Sequence, residues 1–340
     1  VRTADAGQVW RLAERLGLPV LTDALSGLRF GAARPERVTH YDSLLRNPDV
    51  ARRLRPDWVL RLGAAPVSKT LGNWVAGIPS ILVDPSSQWR DPGHDACLRL
   101  EASPLSACAW LAEHADRTQD PEWIGLWHRA DSRTEALATN LLQRAPWCEG
   151  QAIRALLGHL PSDAALFCGN SQPIRQLDTW SGYLGRSLRV FCNRGASGID
   201  GNVSTLAGLA AAGIPALGLI GDLTLFHDLG GLLLTRELEL ALPLVVVNNG
   251  GGRIFDGLPQ CGLPGFETLW RTPVDLDIGA LATPFDLPHR WASNASELAN
   301  VLDTALSGAT GGIIELRIDA RRSMETHQEL HRLAASERLI

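Results

Sequence analysis

Apolar and polar positions along this chain follow two rhythms. In "VWRLAERLG" apolar residues recur three and four apart, which predicts a helix, whereas "LPVLTD" and "DWVLRLGA" are short apolar runs that predict strands. "SILVDPSSQWRDPGH" reads as a strand running into a polar loop punctuated by Pro and Gly. A long helix with a broad apolar face is expected over "DPEWIGLWHRADSRTEALATNLLQRAPW", and a second over "CEGQAIRALLGHLPSD". Strands follow at "AALFCGNS", "LRVFCNRG", "ALGLIGD", "LPLVVVNN" and, after the helix "ASELANVLDTALSG", at "GIIELRID". Such continuous apolar runs with helices between them predict an α/β protein with parallel sheets covered by helices. Two domains are expected, 1–120 and 121–340. The first is read as Rossmann-like, but no G-x-G-x-x-G follows a strand there, so neither NAD nor FAD is expected.

Composition narrows the partners. With 340 residues and 45% hydrophobic content the chain can bury a large core. A net charge of −5 gives no long-range attraction to nucleic acid or an anionic membrane, so a small-molecule partner is expected. Cys97, Cys108, Cys148, Cys168, Cys192 and Cys261 form no C-x-x-C pair and sit mostly in apolar runs, which predicts buried free thiols in a reducing cytoplasm. Nothing reads as a signal peptide or an apolar run of membrane-spanning length.

Candidate chemistry gathers at strand ends, where open α/β sheets bind ligands. Four tips carry Gly or polar residues: Gly169-Asn170-Ser171, Asn193-Arg194-Gly195, Gly221-Asp222 and Asn248-Asn249-Gly250-Gly251-Gly252. Each alone is ordinary turn chemistry. Asp222 and Asn249, however, lie 27 residues apart, the length of one helix plus one strand, so neighbouring parallel strands can bring them to one crevice. An anionic and a neutral oxygen suit a hard divalent cation that keeps places for phosphate oxygens and water. The glycine run would let a carbonyl such as that of Gly251 serve as a third ligand, and a helix beginning near Thr224 would aim its N–H groups at an anion. These features together describe a metal-diphosphate site.

The G-D pair followed at that distance by the second asparagine of an N-N pair is similar to the cofactor signature of thiamine diphosphate enzymes. Its usual third residue is Gly, and this chain has Leu223. Together with "CGNSQPIR", "CNRGASGIDGNVST", "GDLTLFHDL", "NNGGGRIF" and "ILVDPSSQWRDPGH", it resembles one branch, the 2-succinyl-5-enolpyruvyl-6-hydroxy-3-cyclohexene-1-carboxylate synthases of menaquinone biosynthesis. The resemblance implies thiamine diphosphate held through Mg2+ or Mn2+, with Asp222, Asn249 and Gly251 at the metal and Gly221 and Leu223 on the cofactor. It implies decarboxylation of 2-oxoglutarate and addition of the succinyl unit to isochorismate. Ser171, Arg175 and Arg194 match positions that contact substrate. Ile199 matches the residue that props the cofactor into its bent shape, and Ile254 and Phe255 match the apolar wall beside the reactive carbon. Lys69, the only lysine, matches a basic residue facing isochorismate, while its neighbour Thr70 stands where some members have arginine.

In that family a glutamate on a preceding pyrimidine-binding domain activates the cofactor, and nothing in this chain resembles that domain. The expected complement is an upstream stretch or a second subunit, with a homodimer or homotetramer as the complete assembly. Two other readings stand beside this one: another thiamine diphosphate decarboxylase or carboligase, and an incomplete, inactive cofactor-binding fragment.

Overall fold

The helix Ala6–Leu16 shows how local pattern becomes structure. Val9, Trp10, Leu12, Ala13 and Leu16 fall on one face and are buried together. Gly17, at φ +67°, then stops the helix in the left-handed region, and the Leu18 N–H donates back to the Ala13 carbonyl at 2.9 Å. The computed structural model describes residues 6–86, 88, 90–116, 118–307 and 311–340. Ser87 and Trp89 of the "ILVDPSSQWRDPGH" motif lie outside the described residues.

The chain divides into two compact units, one of Val1–Leu141, Gly182–Arg186 and Glu329–Ile340, the other of Leu142–Ser181 and Ser187–Gln328. In the first, β1 (Val20–Leu21) pairs with β2 (Arg37–Val38), and β3 (Val59–Leu62), β4 (Ser80–Val83) and β5 (Ala96–Leu100) form a parallel sheet in that order. Strand β5 escapes the sequence pattern because it is an edge, with Leu98 and Leu100 exposed. The long helix Pro121–Arg144 starts with Pro at its first position and Asp120 accepting from the Glu122 N–H at 2.8 Å. Within it, buried Asp131 accepts from the N–H groups of Thr39 and His40 and from the Tyr183 hydroxyl at 2.7 Å.

The second unit is built on six parallel strands: β6 (Ala165–Cys168), β7 (Arg189–Phe191), β8 (Ala216–Gly221), β9 (Leu242–Asn248), β10 (His289–Ala292) and β11 (Gly311–Arg317). Their order is β10-β11-β9-β8-β6-β7. Alternation along the strands separates two faces. Phe167, Ile220, Leu244, Val246 and Ile313 share one core with Val203, Leu206 and Ala207 of the helix Asn202–Ala211. Leu166, Leu219, Val245 and Leu316, also buried, alternate with these along the strands and belong to the opposite face. Strand β10 is not evident from "HRWA", which is half polar and earns its place only by pairing with β11. From β6 the chain steps outward to β7 and then crosses to β8 and β9 on the other side, so the order reverses between β6 and β8. A crevice opens at the carboxyl ends of strands at such a reversal.

The cysteines depart from expectation. All six are free, but Cys97 and Cys261 are exposed and Cys192 is half-buried, leaving Cys108, Cys148 and Cys168 in the interior. Cys97 sits on the edge strand β5, where an apolar run does not guarantee cover. Among the described residues no helix is long and apolar enough to cross a membrane.

Candidate active site

A cavity of about 450 Å³ occupies that crevice, lined entirely by the second unit. Asp222 and Asn249 meet in it because β8 and β9 pair in register from Gly218 opposite Leu244 to Gly221 opposite Val247. The next residues of both strands therefore leave the sheet side by side. The Asp222 carboxylate is buried and fully oriented: Oδ1 accepts from the Leu223 N–H at 2.7 Å, and Oδ2 from those of Gly250 and Gly251, both at 2.9 Å. Burial pushes its pKa up, opposed by these backbone donors.

The helix here begins at Asp222, two residues earlier than the sequence suggests, and ends at His227. The N–H of its second residue, Leu223, donates to the Asp222 carboxylate, so the short helix orients the acid more than it offers donors to an anion. Glycine is required after Asn249. Gly251 has φ +116°, and a Cβ there would sit 2.7 Å from the Arg271 carbonyl oxygen and 3.1 Å from that of Thr272. The Gly251 carbonyl accepts from the Arg253 N–H at 2.8 Å, which occupies one of its two lone pairs.

From the β6 side come Ser171 and Arg175. Ser171 holds φ +68° and ψ −131° immediately before the helix Gln172–Trp180, a conformation costly for a residue with a Cβ. Arg175 donates to the Ser171 carbonyl at 2.7 Å. Arg194, after β7, donates to Asn170 Oδ1 at 2.8 Å. Among the described residues neither arginine forms an ion pair with a carboxylate. Desolvation, and then the Arg194 charge, pull Arg175 below the usual guanidinium value. Two cations on one cavity wall without acidic partners suit an anionic guest.

Gly221, Leu223, Ile199, Ile254 and Phe255 line the same cavity. Ile254 and Phe255 lie in the short helix Arg253–Gly257, with the Phe255 ring edge-on to Trp270 at 5.5 Å. Lys69 is the exception: it opens the helix Lys69–Val75 in the first unit, is exposed, and does not line this cavity. Thus the structure brings together every sequence-predicted site residue but Lys69.

Two residues that the sequence did not single out for the site also shape it. Asn170, buried at the tip of β6, donates to the carbonyls of Asn193 at 2.6 Å and Gly198 at 2.8 Å while accepting from Arg194. It ties the end of β6 to the segment after β7; its place in a strand-tip triplet was the only hint. Glu149, first residue of the helix Glu149–His159, is buried against the cavity, and its Oε1 accepts from Asn249 Nδ2 at 2.7 Å. Burial pushes its carboxyl up to about 7, with the Asn249 hydrogen bond opposing and the Asp222 charge adding. An acid at a helix start is common on surfaces, so nothing in "WCEGQ" betrayed its burial.

Residues 1–168 match the family model described as the middle domain of thiamine pyrophosphate. The chain is similar to 2-succinyl-5-enolpyruvyl-6-hydroxy-3-cyclohexene-1-carboxylate synthases from several bacteria. It is 37% identical to that of Geobacillus kaustophilus, covering 99% of this chain and 59% of the relative. With the Dechloromonas aromatica protein it shares 39% identity over 90% of this chain and 55% of the relative, and with that of Listeria innocua 34% over 94% and 56%. The chain thus spans somewhat over half the length of the curated relatives it matches.

Proposed function

We propose, from the premise that this chain is a relative of the thiamine diphosphate synthases along nine tenths of its length or more, that it carries the diphosphate and metal half of such an active site. The reaction is decarboxylation of 2-oxoglutarate and addition of the succinyl unit to isochorismate. The observation that carries this reading is the meeting of Asp222 and Asn249 in one cavity with Arg175 and Arg194.

The residues present fit the cofactor's diphosphate end. Asp222 is held by three backbone donors yet keeps a lone pair on Oδ1 for a cation, and Asn249 commits its amide nitrogen to Glu149, leaving Oδ1 for the same ion. Gly251 adds a carbonyl, and the space a Cβ would fill at Gly251 and Gly252 is already bounded by backbone oxygens. A hard cation with few protein ligands retains positions for phosphate oxygens, which suits Mg2+ or Mn2+. Gly221 and Leu223 flank the acid and would lie against the cofactor, with Ile199 as its apolar support.

When bound, the thiazolium supplies the electron sink that loss of carbon dioxide from a 2-oxo acid requires. This chain's own residues do the rest by position. Arg175 and Arg194 bind the carboxylates of the two dicarboxylate substrates, and Ser171 donates a hydrogen bond beside them. Ile254 and Phe255 exclude water from the reacting carbon, which guards against premature protonation. Lys69 would offer isochorismate a further cation. The activating glutamate would come from the portion of the relatives that this chain does not span, or from a second subunit.

The test is calorimetric titration of the full-length protein with thiamine diphosphate and Mg2+. Asp222→Ala removes the one charged ligand and is expected to weaken cofactor binding at least tenfold, about 1.4 kcal/mol. Unchanged affinity would remove the basis of the assignment.

A further inference from the structure

Asn249 can present either end of its amide to the cavity, because oxygen and nitrogen are nearly the same size and only a neighbour decides between them. That neighbour is Glu149. Its Oε1 lies 2.7 Å from Asn249 Nδ2, and a carboxyl oxygen can accept there in either protonation state. We infer that Glu149 is a positioning residue, fixing the Asn249 side chain so that Oδ1 rather than Nδ2 faces the cation beside Asp222. The inference rests on the reading that Asp222 and Asn249 hold a divalent cation.

Three observations support a role beyond filling space. Glu149 is buried, at 5% exposure, on the wall of the same cavity as Asp222, where an acid without a purpose is expensive. Its backbone is anchored: the Glu149 N–H donates to Ser323 Oγ at 3.2 Å. The next residue, Gly150, lets the helix start press against Trp180 and Leu142, since a Cβ would come within 2.8 Å of both side chains. The Asn249 main chain is held separately, its carbonyl accepting from Arg253 Nε at 3.0 Å. With backbone and Nδ2 both tied, the only freedom left to the amide would be the flip that Glu149 prevents.

The experiment measures Mn2+ binding to the full-length protein with saturating thiamine diphosphate, by electron paramagnetic resonance of the free ion. Glu149→Leu replaces the carboxyl with an apolar group of similar size and removes the acceptor; Mn2+ affinity should fall at least tenfold. Glu149→Gln keeps an acceptor oxygen and should restore affinity to within threefold of the parent, a rescue that a merely space-filling role would not require. Should the Leu variant fail to fold, Glu149→Met carries the same expectation. Equal Mn2+ affinity in the parent, Gln and Leu (or Met) proteins would overturn the inference, as would equal losses in Gln and Leu. Asp222→Ala, measured alongside, separates the two claims: if it too leaves Mn2+ binding intact, the metal reading itself fails, whereas a loss in Asp222→Ala with none in Glu149→Leu refutes only the positioning role.

Discussion

Asp222 Oδ2 lies 2.9 Å from the Gly251 amide nitrogen, so the tip of β8 and the loop after β9 are joined by a buried hydrogen bond to a charged group. A contact of this kind contributes about 1.5–3 kcal/mol. It also means that the acid and the glycine run form one rigid piece, with consequences for any substitution there.

Gly251→Ala should therefore damage both stability and site. Its φ of +116° is strained for alanine, and the new Cβ would meet the Arg271 carbonyl oxygen at 2.7 Å. We expect a loss of roughly 1–3 kcal/mol, read from the denaturant midpoint, together with weakened metal-dependent cofactor binding. A variant as stable as the parent would show that the loop relaxes freely.

Arg175→Met and Arg194→Met each keep the apolar stem and delete the charged fork. If the two arginines hold carboxylates, each should cost about 1.5–3 kcal/mol of substrate binding, seen as a raised KM for 2-oxoglutarate or isochorismate with cofactor affinity retained. Steady-state kinetics of the full-length enzyme decides it. Wild-type KM values in both variants would return the arginines to the surface.

Asn170→Ala would leave the Asn193 carbonyl without its Asn170 donor, leave that of Gly198 with only Asn202 Nδ2 at 3.3 Å, and free Arg194 from its acceptor. Hydrogen bonds lost at half-buried acceptors cost about 0.5–1.5 kcal/mol each, so a lowered melting temperature is expected. The same variant should raise KM, because Arg194 loses its orientation. A change in stability alone would confine Asn170 to holding the wall.

Glu315 provides a pH test away from the cavity. Burial favours its neutral form, but hydrogen bonds from Asn248 Nδ2, Arg317 and His289, with the Arg317 charge, outweigh that and hold its pKa below the ordinary 4.5. A depressed folded pKa contributes stability that is present above 4.5 and lost as pH falls through the lower folded value. Glu315→Gln should thus flatten the acid limb of a stability profile run from neutral pH downward. An unchanged slope would mean the group does not couple folding to protons.

The lesson about legibility lies in particular elements. Strands β6, β8, β9 and β11 announced themselves because a strand buried on both faces is a nearly continuous apolar run, and nothing distant is needed to read that. Asp222 and Asn249 could be paired from spacing, since one helix and one strand consume a nearly fixed number of residues. Strand β10 was illegible because its stability comes from β11, 20 or so residues onward and invisible in "HRWA" itself. The exposed Cys97 misled for the same reason, its apolar run lying on an edge.

By itself, then, the sequence determined five of the six segments that form the larger sheet, where their carboxyl ends fall, and that an acid, an amide, glycines and arginines stand at those ends. Only the tertiary structure decided how they act on one another. Glu149 is 100 residues from Asn249 in the chain and became its partner through the packing of Gly150 on Trp180. Asn170 became a hub because β6 pairs with β7, which brings the segment after β7 alongside it. Lys69 fell to the other unit and is not among the residues that line the cavity. Local pattern is set by the backbone's own periodicities, whereas burial and hydrogen-bond partners depend on which distant segment arrives alongside, and that is a property of the folded whole.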